Sequence, residues 1–379
     1  MANLNTTTGK TRTAQIAGAG FSGLTTAIAL RQDGWDVTLH EKDSELRAFG
    51  AGIYLWYNGL RVLEGIGALE EVLENTHTPP AYETWMHNKS VSKETFNGLP
   101  WRIMTRAHLH NALVKRAKDV GVNIRVNSEA VSAEAEGRLV LASGEVLEAD
   151  LIVGADGIGS KVRDSLGFKQ DRWVSVDGII RLIVPRFKDQ LGEGEWDNTI
   201  DMWNFEPRVQ RILYSPCNKD ELYLGLMAPA ADPRGSAVPL DLEVWMDMFP
   251  FLEPCLVEAA KLEHARYDKY GTTKLDSWVK GKVAIVGDAA NGMAPALAQG
   301  AGCAMVNGFS LSQDLAEHSS VEDALVAWEK RIRPLTDHTQ ALSGEYAKNR
   351  ALSKGNMFTP DALMAARYDP LRRVMSWPQ

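Results

Sequence analysis

Gly18-Ala19-Gly20-Phe21-Ser22-Gly23 forms a Gly-x-Gly-x-x-Gly run between a short apolar segment and a helix-patterned one. Glycines at this spacing permit a tight turn and bring backbone N–H groups close to a pyrophosphate, whose charge the following helix N-terminus stabilises. Glu41 lies 21 residues beyond Gly20, at the end of the next apolar stretch. A carboxylate there can accept hydrogen bonds from ribose hydroxyls. The chemistry implied is the holding of a dinucleotide. Two further motifs follow buried-strand patterns: Asp156-Gly157 within 150–163, and Gly287-Asp288 within 282–291, the latter trailed by Pro295 and by Gly300-Ala301-Gly302. Each alone fits a strand-ending turn, but the three in this order are hard to explain by chance.

A second group of residues suits recognition of a small aromatic anion. Val209 to Tyr214 and Glu221 to Leu226 read as a hairpin around Ser215 to Asp220. One register places Arg211 directly opposite Tyr223, and an arginine fork beside a phenol can clamp a carboxylate. Arg181 is a charge inside the apolar run Gly178 to Val184. Tyr82 follows Pro79-Pro80, Tyr54 follows the 50–53 glycine turn, and Tyr270 is a further candidate. Solvated arginines and tyrosines that merely pack would satisfy the same pattern. His108 and His110 read as cap or surface residues of a helix. No side chain presents itself as a general base, and no His, Cys, Asp or Glu grouping has metal-ligand spacing.

These residues need elements to carry them. Thr13 to Gly18 and Asp36 to Glu41 read as strands flanking a helix from Phe21 to Asp33, the first unit of a doubly wound α/β sheet. Helical periodicity recurs over 57–73, 106–119, 301–318 and 321–344, with a shorter helix at 241–249, and further strands fit 122–126, 138–141, 151–154 and 282–286. Between about 174 and 226 the pattern turns β-rich. The expected architecture is a Rossmann-like α/β domain over 1–73, 101–173 and 271–350. A mixed β-sheet substrate domain over 74–100 and 174–270 is inserted into it, and a helical tail spans 351–379.

With 379 residues, a net charge of -8 and 45% hydrophobic residues, the chain can bury a full core. Its acidic balance argues against nonspecific nucleic-acid binding. No window approaches 18 uncharged apolar residues, and the polar N-terminus lacks an apolar signal core, so neither a membrane partner nor secretion is expected. Cys217, Cys255 and Cys303 are scattered, which fits a reducing, cytoplasmic setting.

From Thr13 to Gly344 the order of motifs resembles the single-component FAD-dependent aromatic hydroxylases of the para-hydroxybenzoate hydroxylase type. That resemblance implies FAD held by Gly18, Gly20, Phe21, Ser22, Gly23, Glu41, Lys42, Ala51, Arg106, Val131, Asp288, Pro295, Gly300, Ala301 and Gly302. It further implies NADH or NADPH docking transiently without a domain of its own, O2 as co-substrate and a small aromatic carboxylate as substrate. Oxygen transfer would run through a flavin C4a-hydroperoxide. Independently of the likeness, a helix starting at Gly300-Ala301-Gly302 can present free N–H groups to an anionic reduced flavin. Three positions depart from the usual pattern: Asn291, the segment Ala298 to Gly302, and Val306-Asn307. A simple benzoate, salicylate or nicotinate-type hydroxylase, a flavin reductase or oxidase, and a nonenzymatic FAD-binding regulator remain alternatives. A homo-oligomer is compatible with each.

Overall fold

A computed structural model of the chain describes residues 11–46, 51–349 and 358–376. The polar N-terminus (1–10), Gly50 of the turn ahead of Tyr54, and tail residues 350–357 and 377–379 lie outside the described residues.

Six strands make the first sheet, in the order Val279–Lys280, Val283–Ile285, Leu151–Gly154, Thr13–Ala17, Asp36–His40 and Asn123–Arg125. All neighbours pair in parallel except Val279–Lys280. Its central strands read as continuous apolar runs because helices cover both faces. The helix Phe21–Gln32 follows the first strand and packs closely on Gly300–Glu317. Small residues make this approach feasible: a β-carbon on Gly308 would meet Thr26 Oγ1 at 2.4 Å.

Seven strands make the second sheet, in the order Tyr267–Leu275, Gln170–Pro185, Glu221–Met227, Gln210–Pro216, Thr199–Asn204, Tyr82–Met86 and Lys89–Glu94. Alternation along these strands separates two chemistries. Ile180, Leu182, Ile200, Met202, Ile212, Tyr214, Leu222, Leu224 and Leu226 point one way, into a core closed by the helices Leu242–Met248 and Glu253–Ala260. Fully burying each such side chain is worth roughly 1.5–3 kcal/mol. The opposite face carries Arg181, Asp201, Arg211, Ser215, Tyr223 and Tyr82.

A two-stranded ribbon, Gly52–Trp56 with Trp101–Thr105, lies between the sheets. The strands Gln170–Pro185 and Tyr267–Leu275 are long enough to run through positions 174 and 271, with a register shift between Val174 and Gly178, so the chain passes across without a linker. The Tyr57 to Leu73 helix is two helices, Tyr57–Gly65 and Leu69–Leu73, separated at Gly67. The expected helical tail is corrected: its described part is a series of turns, a 3-10 turn at Ala365–Arg367 and two short strands, Tyr368–Asp369 and Val374–Met375. Asp369 explains the departure from helix, because its carboxylate turns the chain by accepting from the backbone N–H groups of Leu371 and Arg372. Among the described residues no helix is long and apolar enough to cross a membrane.

Candidate active site

The glycine loop is built by close approach. Gly18 has φ +100°, and a β-carbon there would lie 2.4 Å from the carbonyl oxygen of Ala155 on the neighbouring strand. Gly20 differs, since no atom of the described residues lies within 4 Å of where its β-carbon would be. That open, exposed position at the start of the Phe21–Gln32 helix is the cradle a phosphate group requires. Glu41 borders it: one carboxylate oxygen accepts from the Ala19 N–H at 3.0 Å and the other from the Asp43 N–H at 3.1 Å. Lys42 is exposed beside it. Val131 sits at the register shift between Ala130 and Ser132 of a three-stranded sheet, and the Ser128 N–H donates to the Glu41 carbonyl at 2.8 Å, which brings the start of that strand alongside.

The other two motifs converge on this loop. Ser22 Oγ would be 2.4 Å from a β-carbon on Gly287, whose φ is +62°. Asp156 accepts from Ser160 Oγ and from the N–H groups of Lys161 and Val162, so it caps the short helix Lys161–Ser165. From that helix the buried Arg163 donates to the carbonyls of Ile158 and Ala289, tying the Asp-Gly segment to the Gly-Asp segment.

Asp288 and Arg106 interact electrostatically. Burial pushes the Asp288 carboxyl up, and the Arg106 cation opposes this. Both residues nevertheless remain accessible to solvent and are not packed into a core. The Arg106 guanidinium lies 5.0 Å over the Phe21 ring, and its backbone N–H donates to the Ala51 carbonyl at 2.8 Å. Pro295 opens the turn Pro295–Leu297, after which Gly300–Glu317 begins without a side-chain cap. Gly300, Ala301 and Gly302 form its first turn, with Asn58 packed against Gly302.

The open Gly20 cradle, the glycine loop with Glu41, and the uncapped Gly300 helix fit a dinucleotide with a flavin ring. Arg163, Asp156 and His110 support them without lining the cradle. His110 was expected at a cap or on the surface; instead it is buried and bonds through Nε2 to the Ala19 carbonyl at 2.8 Å, holding the glycine loop. His108 bonds through Nε2 to the Val72 carbonyl.

The substrate-side candidates share one face of the second sheet, with a corrected hairpin register. Arg211 pairs with Met227, and Tyr223 pairs with Ser215. Asn218 causes the shift by tightening the turn: its Oδ1 accepts from the N–H groups of Asp220 and Glu221. Both strands therefore extend further than expected, to Pro216 and Met227. A four-residue change in pairing preserves the face, so Tyr223 and Arg211 still share it. The Tyr223 hydroxyl lies over Gly225, and the Arg181 and Arg211 cations counter the rise that burial imposes on its ionisation.

Arg211 is not a bare clamp. Its Nε donates to Asp201 Oδ1, its Nη1 to Met227 Sδ, and its guanidinium lies 4.9 Å over the Trp203 ring, leaving Nη2 without a partner among the described residues. Tyr82 donates to the other oxygen of Asp201 at 3.0 Å. Arg181 pairs with Asp268 at 3.6 Å. Tyr54 shares a short hydrogen bond with Ser215 Oγ, and Tyr270 reaches Met227 Sδ at 3.9 Å. Burial holds the Tyr54 phenol well above its usual range.

Asp201 and Ser215 escaped sequence reasoning. Asp201 carried a readable signal, a lone charge in the apolar strand Thr199–Asn204, the same signal that singled out Arg181. Burial pushes the Cys255 and Cys303 thiols up to about 12, which leaves them as poor nucleophiles. Among the described residues no group of three or more His, Cys, Asp or Glu could hold a metal ion.

Comparison with known proteins gives three findings. Residues 10–334 match a family model described as an FAD binding domain. The 2-heptyl-3-hydroxy-4(1H)-quinolone synthase of Mycobacteroides abscessus is 35% identical over 334 residues, covering 87% of this chain and 88% of its own. A solved structure of the tetrameric form of 2-methyl-3-hydroxypyridine-5-carboxylic acid oxygenase superposes with a TM-score of 0.97 at 81% identity, covering 98% of this chain and 100% of that one.

Proposed function

The chain belongs to the FAD-binding-domain family of flavin-dependent aromatic monooxygenases, and from that premise we propose that it oxygenates 2-methyl-3-hydroxypyridine-5-carboxylate and opens its ring, a step of vitamin B6 degradation. The observation that carries this reading is 81% identity along essentially the whole chain to an oxygenase of that acid. Bound FAD, reduced by NADH or NADPH, supplies the activation of O2. The chain's own residues bind, orient and exclude water.

Gly18, Gly20 and Gly23 with Glu41 hold the ADP half, Asp288 faces the ribityl chain, and the start of the Gly300–Glu317 helix faces the flavin ring. Arg211, through its unpartnered Nη2, and Tyr223 hold the substrate carboxylate. Tyr82 and Arg181 orient the ring oxygen and nitrogen, while Tyr54 and Tyr270 close the sides. Oxygen insertion at the methyl-bearing carbon leaves no proton there whose loss would restore aromaticity. Water addition and C–C cleavage then follow. By analogy with the tetrameric neighbour the enzyme acts as a homo-oligomer, and its scattered cysteines fit the cytoplasm.

Purified protein, NADH and 18O2 are mixed with the hydroxypyridine acid. The expected product is acyclic and labelled. An aromatic labelled product would instead identify a simple hydroxylase, and NADH oxidation without 18O incorporation would identify a reductase or oxidase.

A further inference from the structure

The family match ends at residue 334, yet part of the substrate side is built from beyond it. Phe358, Leu363 and Ala366 are buried in one cluster with Tyr54, Trp56, Tyr82, Trp101 and Tyr223. Phe358 packs edge-on against Tyr82, with ring centroids 4.9 Å apart and planes at 75°, and against Phe96 at 5.0 Å and Trp56 at 5.6 Å. Tyr82 in turn donates to Asp201, which holds Arg211. Phe358 therefore stands directly behind a chain of contacts ending at the carboxylate-binding guanidinium.

We propose that the C-terminal segment 358–369 is a specificity wall of the substrate site, in which Phe358 limits the size of the ring substituents the site admits. The proposal rests on the substrate reading above.

A wall must be rigid to discriminate by size, and this segment is fastened on three sides. Tyr57 donates to the Asp369 carboxylate at 3.0 Å, and Arg331 donates to the Tyr368 hydroxyl at 3.2 Å. Gln299, at the N-terminus of the Gly300–Glu317 helix, donates through Nε2 to the Ala362 carbonyl at 2.6 Å. That glutamine keeps the family residue between two positions, Ala298 and Gly302, that depart from the pattern, and its side chain joins the helix facing the flavin to the wall. A segment outside the family domain, locked to both the substrate tyrosines and the flavin helix, is suited to tune the substrate site. Shortening Phe358 would leave unfilled space behind Tyr82, because a buried phenyl is not replaced by collapse of its neighbours alone.

The holoenzyme is titrated with 2-methyl-3-hydroxypyridine-5-carboxylate and its 2-propyl homologue, with binding read from the flavin absorbance change. The unaltered protein is expected to favour the methyl acid. Phe358→Ala should shrink that preference by about tenfold or more, within the range that small apolar groups contribute to discrimination, and Phe358→Trp should enlarge it, both with FAD content retained. An unchanged preference in both variants would overturn the proposal. Where Phe358→Ala loses its flavin, Phe358→Leu supplies the smaller side chain, and an unchanged preference overturns the wall equally. If neither pyridine acid perturbs the unaltered holoenzyme, the substrate reading fails on its own. The size comparison is then made with 3-hydroxybenzoate and its 4-propyl derivative, with the same two outcomes deciding the wall.

Discussion

Arg211 and Asp201 form an ion pair in which the side chains are 1% and 2% exposed, with Tyr82 donating to the second oxygen of the same carboxylate. The arginine chosen to grip a substrate anion thus already has an internal counter-ion. Its guanidinium plane is fixed before any ligand arrives, with Nε, Nη1 and the ring face of Trp203 all engaged.

Removing either partner leaves a buried charge uncompensated, so Asp201→Ala and Arg211→Met should each lower the unfolding free energy by about 3 kcal/mol. Asp201→Ala/Arg211→Met together should cost less than the sum, because the orphaned charge disappears. Urea unfolding of the four proteins measures this. In ligand titrations Arg211→Met should weaken carboxylate binding much more than FAD binding; equal weakening of both would remove Arg211 from the substrate site.

Gly20 and Gly287 should respond differently to alanine. At Gly287 the new methyl meets Ser22 Oγ at 2.4 Å with φ at +62°, so Gly287→Ala strains the junction of two motifs and should cost about 1–3 kcal/mol along with bound FAD. At Gly20 the methyl meets no atom of the described residues. Gly20→Ala should therefore leave apoprotein stability within about 0.5 kcal/mol while filling the phosphate cradle and sharply reducing FAD affinity. Thermal unfolding of apoprotein, set beside the flavin-to-protein absorbance ratio, separates the two.

Gly225 is the place where the Tyr223 phenol lies, its hydroxyl 3.0 Å from where a β-carbon would stand. Gly225→Ala should displace that hydroxyl, whose ionisation the Arg181 and Arg211 cations favour. The expected result is a tenfold order of loss in substrate affinity, comparable to Tyr223→Phe, with FAD content unchanged. Full affinity in Gly225→Ala would show that the phenol does not touch the ligand.

Much of the fold was legible because period-two and helical patterns are strong where both faces are covered: the helix Arg106–Asp119 and the strand Leu151–Gly154 fall where the sequence places them. The glycine motifs were readable because glycines needed for close approach, such as Gly18 and Gly287, cannot be substituted cheaply. Pairing partners were less readable. The Arg211–Tyr223 register depended on how Asn218 folds a four-residue turn, and a shift by four keeps the same face, so the hydrophobic pattern carries no information to choose between them. Asp201 could be seen as an anomalous charge, but that its partner is Arg211 depends on adjacency across strands. The C-terminal segment lacked a periodic signal because its order comes from contacts with distant residues such as Tyr57, Gln299 and Arg331.

His40 should make the nucleotide side acid-sensitive. Its ring is 1% exposed at the end of the strand that leads into Glu41, with Nδ1 2.8 Å from Ser128 Oγ and Nε2 2.7 Å from Gln15 Oε1. A neutral imidazole satisfies both, accepting at Nδ1 from the serine and donating at Nε2 to the amide oxygen. Burial, with Arg125 nearby, lowers its ionisation from 6.5 to about 4. The unfolded chain consequently binds a proton that the folded chain resists, so the stabilisation is present above pH 6.5 and is lost as pH falls toward 4. By pH 5 the loss should reach about 1–2 kcal/mol after allowance for solvent screening. Because the His40 carbonyl also accepts from the Gly18 N–H at 2.7 Å, FAD should dissociate more readily over the same range. His40→Gln removes the titration: its unfolding free energy, measured between pH 7.5 and 5, should fall less steeply than that of the unaltered protein. Parallel slopes would place the acid sensitivity elsewhere.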